Sequence, residues 1–264
     1  MMQLKSDDKQ DGADNTQDAV TESVHISEHF SHFLQPQLAD TAQLKMEVYR
    51  LRHQIYCEEL HFEETNADKI EKDTFDDRAV HCVIRHLQSQ RLAGTVRLIT
   101  STADDELLPL EQYCSAALGN PALAPSRFER HEICEISRLA VPSSFRKREV
   151  DQYEGAATGV LNEKTFSSHE FRCFPYIPIC LYLSAAAMSY RTRRYHAFVM
   201  MEPLLARSMS FVGIKFKQVG DTIEFHGQRA AYYVDSRELK QTLKPLYLNL
   251  LNMVEKEIFG DKQS

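Results

Sequence analysis

The chain has 264 residues, 43% of them hydrophobic and 26% charged, with a formal net charge of -7. That is an ordinary globular composition, long enough for one large α/β domain or two small ones; the negative balance argues against general nucleic-acid binding, and no aromatic module interleaved with Lys or Arg takes its place. The six cysteines, Cys57, Cys82, Cys114, Cys134, Cys173 and Cys180, form neither a CxxC pair nor a zinc-ligand spacing, which disfavours a redox motif or a metal site and suits reduced thiols in a cytoplasm.

Residues 1–22 are acidic and polar with no apolar core, so a disordered tail is expected there rather than a signal peptide or anchor. The remainder, 23–264, reads as a single domain. His25, His29 and His32 recur at helical spacing beside Phe30 and Phe33, predicting a short amphipathic helix with exposed histidines; no Cys or carboxylate completes a ligand set. Pro36 is expected to break the chain. Asp40 and Gln43 resemble a capping box, and Leu44, Val48, Leu51 and Ile55 predict an amphipathic helix to about Leu60. Arg52 sits beside that stripe, either snorkelling outward or reaching inward to an acid.

The charged stretch "HFEETNADKIEKDTFDDRA" reads as a loop, and "AVHCVIRHL" with "LAGTVRLIT" as a strand hairpin. On its second strand Val96 and Leu98 share a face, so Arg97 points the other way, to solvent or a cleft. "DDELLPLEQYC" predicts a short helix, and "EICEISRLAV" a strand over Ile133 to Val141. A long polar connection follows, then a helix in "PICLYLSAAAMSYRTRR", a strand in "YHAFVMM" and a helix in "EPLLARSMSFVG" with proline near its start and glycine at its end. One or two strands and a closing helix containing Pro245 complete the order. Antiparallel strands first, then strands alternating with helices, predict a mixed, mostly antiparallel sheet with helices on both faces. The longest apolar run is too short and interrupted to span a bilayer, and no stable membrane insertion is expected.

Charges occur where apolar residues are expected: Arg52, Asp73 and Asp76 in "DTFDD", Arg97, and Glu135 with Arg138 in "EISRLAV". Burying such groups unpaired is costly, so they either neutralise one another as an ion network holding a loop to the sheet or orient one carboxylate toward an amine to be deprotonated. Glycine-rich nucleotide loops and a G-x-S-x-G elbow are absent.

The stretches "YRLRHQIYCEEL", "DTFDDRAVHCVI", "GTVRLI" and "EISRLAV", in this order, resemble the acyl-homoserine-lactone (autoinducer) synthases and the long-chain N-acyl amino acid synthases, which share the GNAT acetyltransferase fold. With "LPLEQYC" and "CLYLSAAAM", the likeness extends to the acyltransferases associated with PEP-CTERM/exosortase sorting systems, over roughly residue 40 to the C-terminus. The resemblance implies a GNAT-like α/β (α+β) fold and transfer of a fatty acyl group from the phosphopantetheine thioester of an acyl carrier protein to an amino group, with no permanently bound cofactor. Arg52, Asp73, Asp76, Arg97, Glu135 and Arg138 fall on the family's charged signature. Its tryptophan has no counterpart, since this chain contains none, which counts against a homoserine-lactone product. The diphosphate loop R-x-x-G-x-G/A is replaced after Val141 by "PSSFRKR", which disfavours a coenzyme-A acetyltransferase.

On this reading Glu135 is the base, directly or through a water. Arg97 and Arg138 fix it and the acceptor's carboxylate, while Asp73 and Asp76 orient the arginines and the ammonium group. Arg146, Lys147 and Arg148 are candidates for docking the carrier protein's phosphate. Arg191, Arg193 and Arg194 form a second patch whose alternative is ordinary helix-end charge. Cys134 permits an acyl-cysteine route, but no histidine is placed to activate it. Phe174, Tyr176 and the following helix either border an acyl tunnel or simply pack the core. On a regular strand Glu135 and Arg138 point to opposite faces, so a shared site requires a β-bulge. Two other readings are a lactone synthase using S-adenosylmethionine and a catalytically silent acyl-carrier or lipid-binding module.

Overall fold

The computed structural model describes residues 26–146 and 168–260; the expected tail, and Lys147 and Arg148, lie outside the described residues. A helix at 26–33 (α1) leads directly into β1, Leu34–Leu38, which pairs antiparallel with β2, Ala79–His86. Pro36 therefore does not end the ordered chain. It faces Ile84 in an edge strand, where the missing N–H takes nothing from the sheet.

The helix after β1, α2 (Ala42–His53), is capped by Thr41, whose Oγ1 accepts from the Leu44 amide, and not by Asp40. Its continuation, Gln54–Glu59, widens into a π turn, a feature that re-aims side chains and occurs often at functional sites. After the loop and a single 3-10 turn at Thr74–Arg78 come β2 and β3 (Leu92–Thr100), paired as the expected hairpin. The short helix α3 (Pro109–Tyr113) precedes β4, Ile133–Ala140. Beyond lie α4 (Ser168–Cys173), α5 (Ile177–Arg191), β5 (His196–Met201) and α6 (Pro203–Val212). The remaining elements are β6 (Lys217–Gln218), β7 (Ile223–Glu224), β8 (Gln228–Asp235), α7 (Leu239–Thr242) and α8 (Pro245–Phe259). Pro245 starts α8 rather than lying inside it, since an N1 proline sacrifices no intrahelical bond.

Strand order is β1-β2-β3-β4-β5-β8-β6, with β7 on β8; β4 and β5 are parallel and the other pairs antiparallel. Side chains alternate between faces. One face, carrying Val96, Leu98, Cys134 and Ile136, meets Leu181, Leu183, Ala185 and Met188 of α5. On the other, Val48, Leu51 and Ile55 cover Val83, Leu92 and Ala140, while Leu108 and Leu110 cover Ile99, Ile133 and Phe198. A fully buried Leu or Ile contributes about 1.5–3 kcal/mol, so both helical layers are held chiefly by these contacts. No helix among the described residues is long and apolar enough to cross a membrane.

This frame has two local irregularities. First, β4 and β5 pair only through Ile133–Ile136 and His196–Val199; beyond Ile136 β4 stays with β3 and β5 stays with β8, so the sheet splays at their C-terminal ends. Second, α6 ends on Gly213, at φ 107°, where an added Cβ would lie 2.3 Å from the Thr242 carbonyl oxygen. Gly213→Ala is expected to cost about 1–3 kcal/mol, read as a lowered thermal midpoint.

Candidate active site

The charged residues flagged in the sequence converge on the α2/α3 face of the sheet, between its two apolar clusters. Arg52 leaves the last turn of α2 fully buried. Its Nη1 and Nη2 grip both Asp76 oxygens at 2.7 and 3.1 Å, and its Nε bonds Glu71. Of the two outcomes open for Arg52, the inward one holds.

Asp73 and Asp76 are placed by the 3-10 turn they cap: Asp76 Oδ2 accepts from the Asp73 amide at 2.8 Å, and Asp73 Oδ1 from the Phe75 amide at 2.9 Å. From β3, Arg97 Nη1 reaches Asp73 at 2.7 Å and Asp76 at 3.0 Å, and its Nε donates to Ser137 Oγ at 3.1 Å. The sheet twist and a cap thus bring together groups 21 to 24 residues apart in sequence.

The bulge required in β4 is present, one step later than the Glu135–Arg138 interval suggests. Pairing with β3 is regular through Ser137 and then skips from Arg97/Ser137 to Thr95/Ala140. Arg138 occupies the extra position at φ 49°, a left-handed conformation that costs a non-glycine residue energy and is retained mainly where it re-aims a side chain. Its guanidinium bonds Glu71 at 3.0 Å and Glu63 at 3.1 Å, lies 3.7 Å from Asp73, and covers the Tyr56 ring at 5.3 Å. Tyr56, on the π turn, donates to the Leu139 carbonyl at 3.1 Å.

Glu71 is the member that the sequence reading missed. It bridges Arg52 and Arg138 and, with Asp73 and Asp76, balances the three arginines. Burial would raise the Asp76 and Glu71 carboxyls, but the arginines overcome it and hold both below the usual carboxylate range. Exposure rises from floor to rim: the Arg52, Arg97 and Asp76 side chains are at 0 to 2%, Arg138 at 24%, Asp73 at 29% and Glu63 at 39%. The network is closed below and open to solvent above.

Glu135 stands apart from it. It opposes Ile99 on β3, two residues from the Arg97–Ser137 pair, and so shares their face. Yet its Oε2 accepts from the Leu110 amide at 2.8 Å, and no hydrogen bond joins it to Arg97 or Arg138 among the described residues. The expected fixing of Glu135 by those arginines is corrected accordingly: Asp73 and Asp76 occupy Arg97, and Glu71 and Glu63 occupy Arg138. Burial pushes its carboxyl up to about 8. An acid that exchanges its proton near neutral pH is what a general base requires. Nearby His81 is buried, burial pulls it down to about 4, and neither ring nitrogen has a hydrogen-bond partner; Nε2 lies 3.3 Å from Asp76.

Other expected roles change. Arg146 is not a docking cation at the surface: it is buried, donating to the Val141 carbonyl and pairing with Glu59 on the π turn. Arg146→Ala is expected to lower the thermal midpoint by several degrees while leaving any donor KM within about twofold, because the lost interactions are internal. Arg194 is spent on the His131 and Ser101 carbonyls, and the α5 end that carries Arg191 and Arg193 adjoins the start of β5, away from the splay. Cys134 is buried, and burial pushes its thiol up to about 12, so it is no nucleophile at neutral pH. Phe174 is core; an apolar cavity of about 20 Å³ lined by Tyr182, Ala186, Ser189, Ala197, Val234 and Leu239 lies by the start of β5, away from the splay.

Residues 51–155 match the acetyltransferase (GNAT) domain family, a segment carrying all six flagged charges from Arg52 to Arg138. Solved structures resemble the fold. TofI, in a ternary complex with an inhibitor and MTA, shares 15% identity over 81% of this chain and 99% of its own, with a TM-score of 0.58. BjaI, a CoA-dependent acyl-homoserine lactone synthase with SAM and isopentyl-CoA, gives 18%, 83%, 88% and 0.56 in the same order. FeeM, an N-acyl amino acid synthase from uncultured soil microbes, gives 12%, 80%, 94% and 0.51. No curated protein matches in sequence. At these identities the likeness is one of fold, and the fold is GNAT-like.

Proposed function

We propose that this GNAT-fold protein is an N-acyltransferase that moves a long-chain fatty acyl group from an acyl carrier protein's phosphopantetheine thioester to the amino group of an amino acid or related amine. The observation that carries the reading is Glu135: a carboxyl raised to about 8, on the same sheet face as an arginine–carboxylate network, one residue before the last β4–β5 pair at Ile136.

A thioester needs no further activation, so the protein must place the amine, take its proton and let the thiol depart. Strand edges left unpaired beyond Ile136 offer amides and carbonyls to an extended, amide-bearing pantetheine arm, as any open sheet edge does. The acyl tail then follows the apolar side beneath the splay. On the other face, Arg138 is the most exposed guanidinium and meets the acceptor's carboxylate, while Asp73 and Glu63 at the rim draw its ammonium. The ammonium first gives one proton to solvent; Glu135 receives the second as the amine nitrogen bonds the acyl carbon, and the tetrahedral oxyanion collapses and expels the pantetheine thiolate, which takes that proton from Glu135. The motif likeness to the exosortase-associated acyltransferases supports a long-chain donor, and the missing diphosphate loop supports a carrier protein over coenzyme A.

A homoserine-lactone synthase is the second reading, supported by the fold likeness to BjaI and by rim carboxylates able to face a sulfonium. Purified protein with acyl carrier protein or acyl-CoA donors, offered pooled amino acids or S-adenosylmethionine, separates these readings by thiol release and methylthioadenosine formation. Thiol release dependent on amino acids and the carrier donor is expected; methylthioadenosine would support the lactone reading instead. No turnover with any pair, together with carrier binding unchanged in Glu135→Gln, would favour the silent module.

A further inference from the structure

The outward face of α6 has no place in the mechanism above. The helix buries Ala206, Met209 and Val212 and turns Leu204, Leu205 and Phe211 outward, at 69, 39 and 68% exposure. Large apolar side chains displayed together at that level on a soluble fold mark a contact surface. Cations predominate around them: residues 203–217 hold Arg207, Lys215 and Lys217 and no acid, with Glu202 before the helix and Glu238 beside Lys217 as the bordering acids, in a chain whose net charge is -7. Lys244 joins them, because its amide donates to the Val212 carbonyl at the end of α6. Among the described residues Arg207, Lys215 and Lys244 make no ion pair, and Lys217 only approaches Glu238, at 3.9 Å.

From this juxtaposition we infer that α6 and the turn after it form a contact surface for an anionic lipid bilayer. Apolar side chains on one helix flanked by unpaired cations are the composition of an interfacial helix that lies in the headgroup plane. Each cation near an anionic leaflet adds attraction that salt screens. Shape separates this occupant from an acidic protein. A helix of ten residues is a convex ridge about 15 Å long, and three side chains fall short of the 1,000 Å² or so that a stable protein interface buries; a fluid headgroup layer closes around such a ridge. The surface stands on these residues alone and requires no particular reaction at the candidate active site. Where an acyl product is made, however, α6 begins directly after β5, beside the splay.

Co-sedimentation of the full chain with phosphatidylcholine vesicles, with and without phosphatidylglycerol, tests it. The protein is expected to pellet with the phosphatidylglycerol vesicles, less so as salt rises. The double variants Leu204→Ser/Phe211→Ser and Arg207→Glu/Lys244→Glu are expected to lose about tenfold or more of that partitioning, with thermal midpoints and turnover of soluble substrates unchanged. Absence of pelleting, or pelleting that both variants retain, would overturn the inference. So would variants that bind vesicles normally but raise the KM for an acyl carrier protein, which would assign the patch to the carrier. Failure of the acyl-transfer reading would leave the vesicle result unaffected.

Discussion

Glu135→Gln is expected to fold, to lose catalytic turnover by about a hundredfold or more, and to become relatively more stable than the native protein in mildly alkaline solution. The two effects have one cause. The Glu135 carboxyl sits among Ile99, Ile133 and Phe198 with a single backbone donor, and burial raises it to about 8. In the unfolded chain a glutamate titrates near 4.3. Between roughly pH 4 and pH 8 the unfolded state therefore holds fewer protons than the folded one, and stability falls as pH rises through that window. Glutamine has the same shape and can still accept from the Leu110 amide, but it does not titrate. The variant's midpoint, compared with the native protein's, should gain on going from pH 4 to pH 9. Activity runs the opposite way: as a base, Glu135 acts when ionised, so native kcat should climb through about pH 8 while the residual rate of the variant shows no such rise. A variant that loses activity and stability together at all pH values would instead mark Glu135 as a packing residue.

Arg52→Met should be among the most destabilising single changes. Arg52 is fully buried and holds Asp76 with two hydrogen bonds and Glu71 with a third. Methionine fills much of the space but leaves Arg97 as the one guanidinium on Asp76 and Arg138 as the one on Glu71. Breaking a buried pair in this way costs about 3–5 kcal/mol, which lowers the midpoint of a domain this size by roughly 10 °C. The pH dependence again has a sign. Asp76 is held below its ordinary range, so the stability it contributes is present above the unfolded carboxylate pKa near 3.9 and is lost as pH falls below that. In Arg52→Met that dependence should shrink, since the main cause of the depression has gone. Differential scanning calorimetry from pH 3 to pH 8 checks both. A midpoint within about 2 °C of the native value at pH 7 would show that the network stabilises little.

Much of the frame was legible because period and punctuation agree. The β2–β3 hairpin, β5, and α6 between its proline and Gly213 follow from alternation, apolar runs and helix-end residues. β1 is hidden because an edge strand tolerates the proline that elsewhere signals a break, and the separation of α7 from α8 because a proline inside an apolar run does not by itself distinguish an interior kink from an N1 start. At the site, charges within apolar runs revealed Arg52, Arg97, Glu135 and Arg138. Glu71 sits in a uniformly charged loop, where nothing local distinguishes it from Glu63 or Glu64; only the fold shows that it meets two arginines. Arg146 misled for the converse reason: in "FRKR" it looks like surface charge, while Glu59, 87 positions away, buries it. Its signal was the phenylalanine before it, Phe145, which is core.

The claim that Glu135 serves acyl transfer to an amine is tested most directly by untargeted mass spectrometry of lipids from a bacterial host expressing the native chain beside Glu135→Gln. It presupposes neither acceptor nor chain length. Long-chain amides present with the native chain and missing with the variant are the predicted result, and the amine found in them identifies the acceptor. Equal amounts of the same amides in both cultures would contradict the account, because a general base cannot be replaced without a loss of rate.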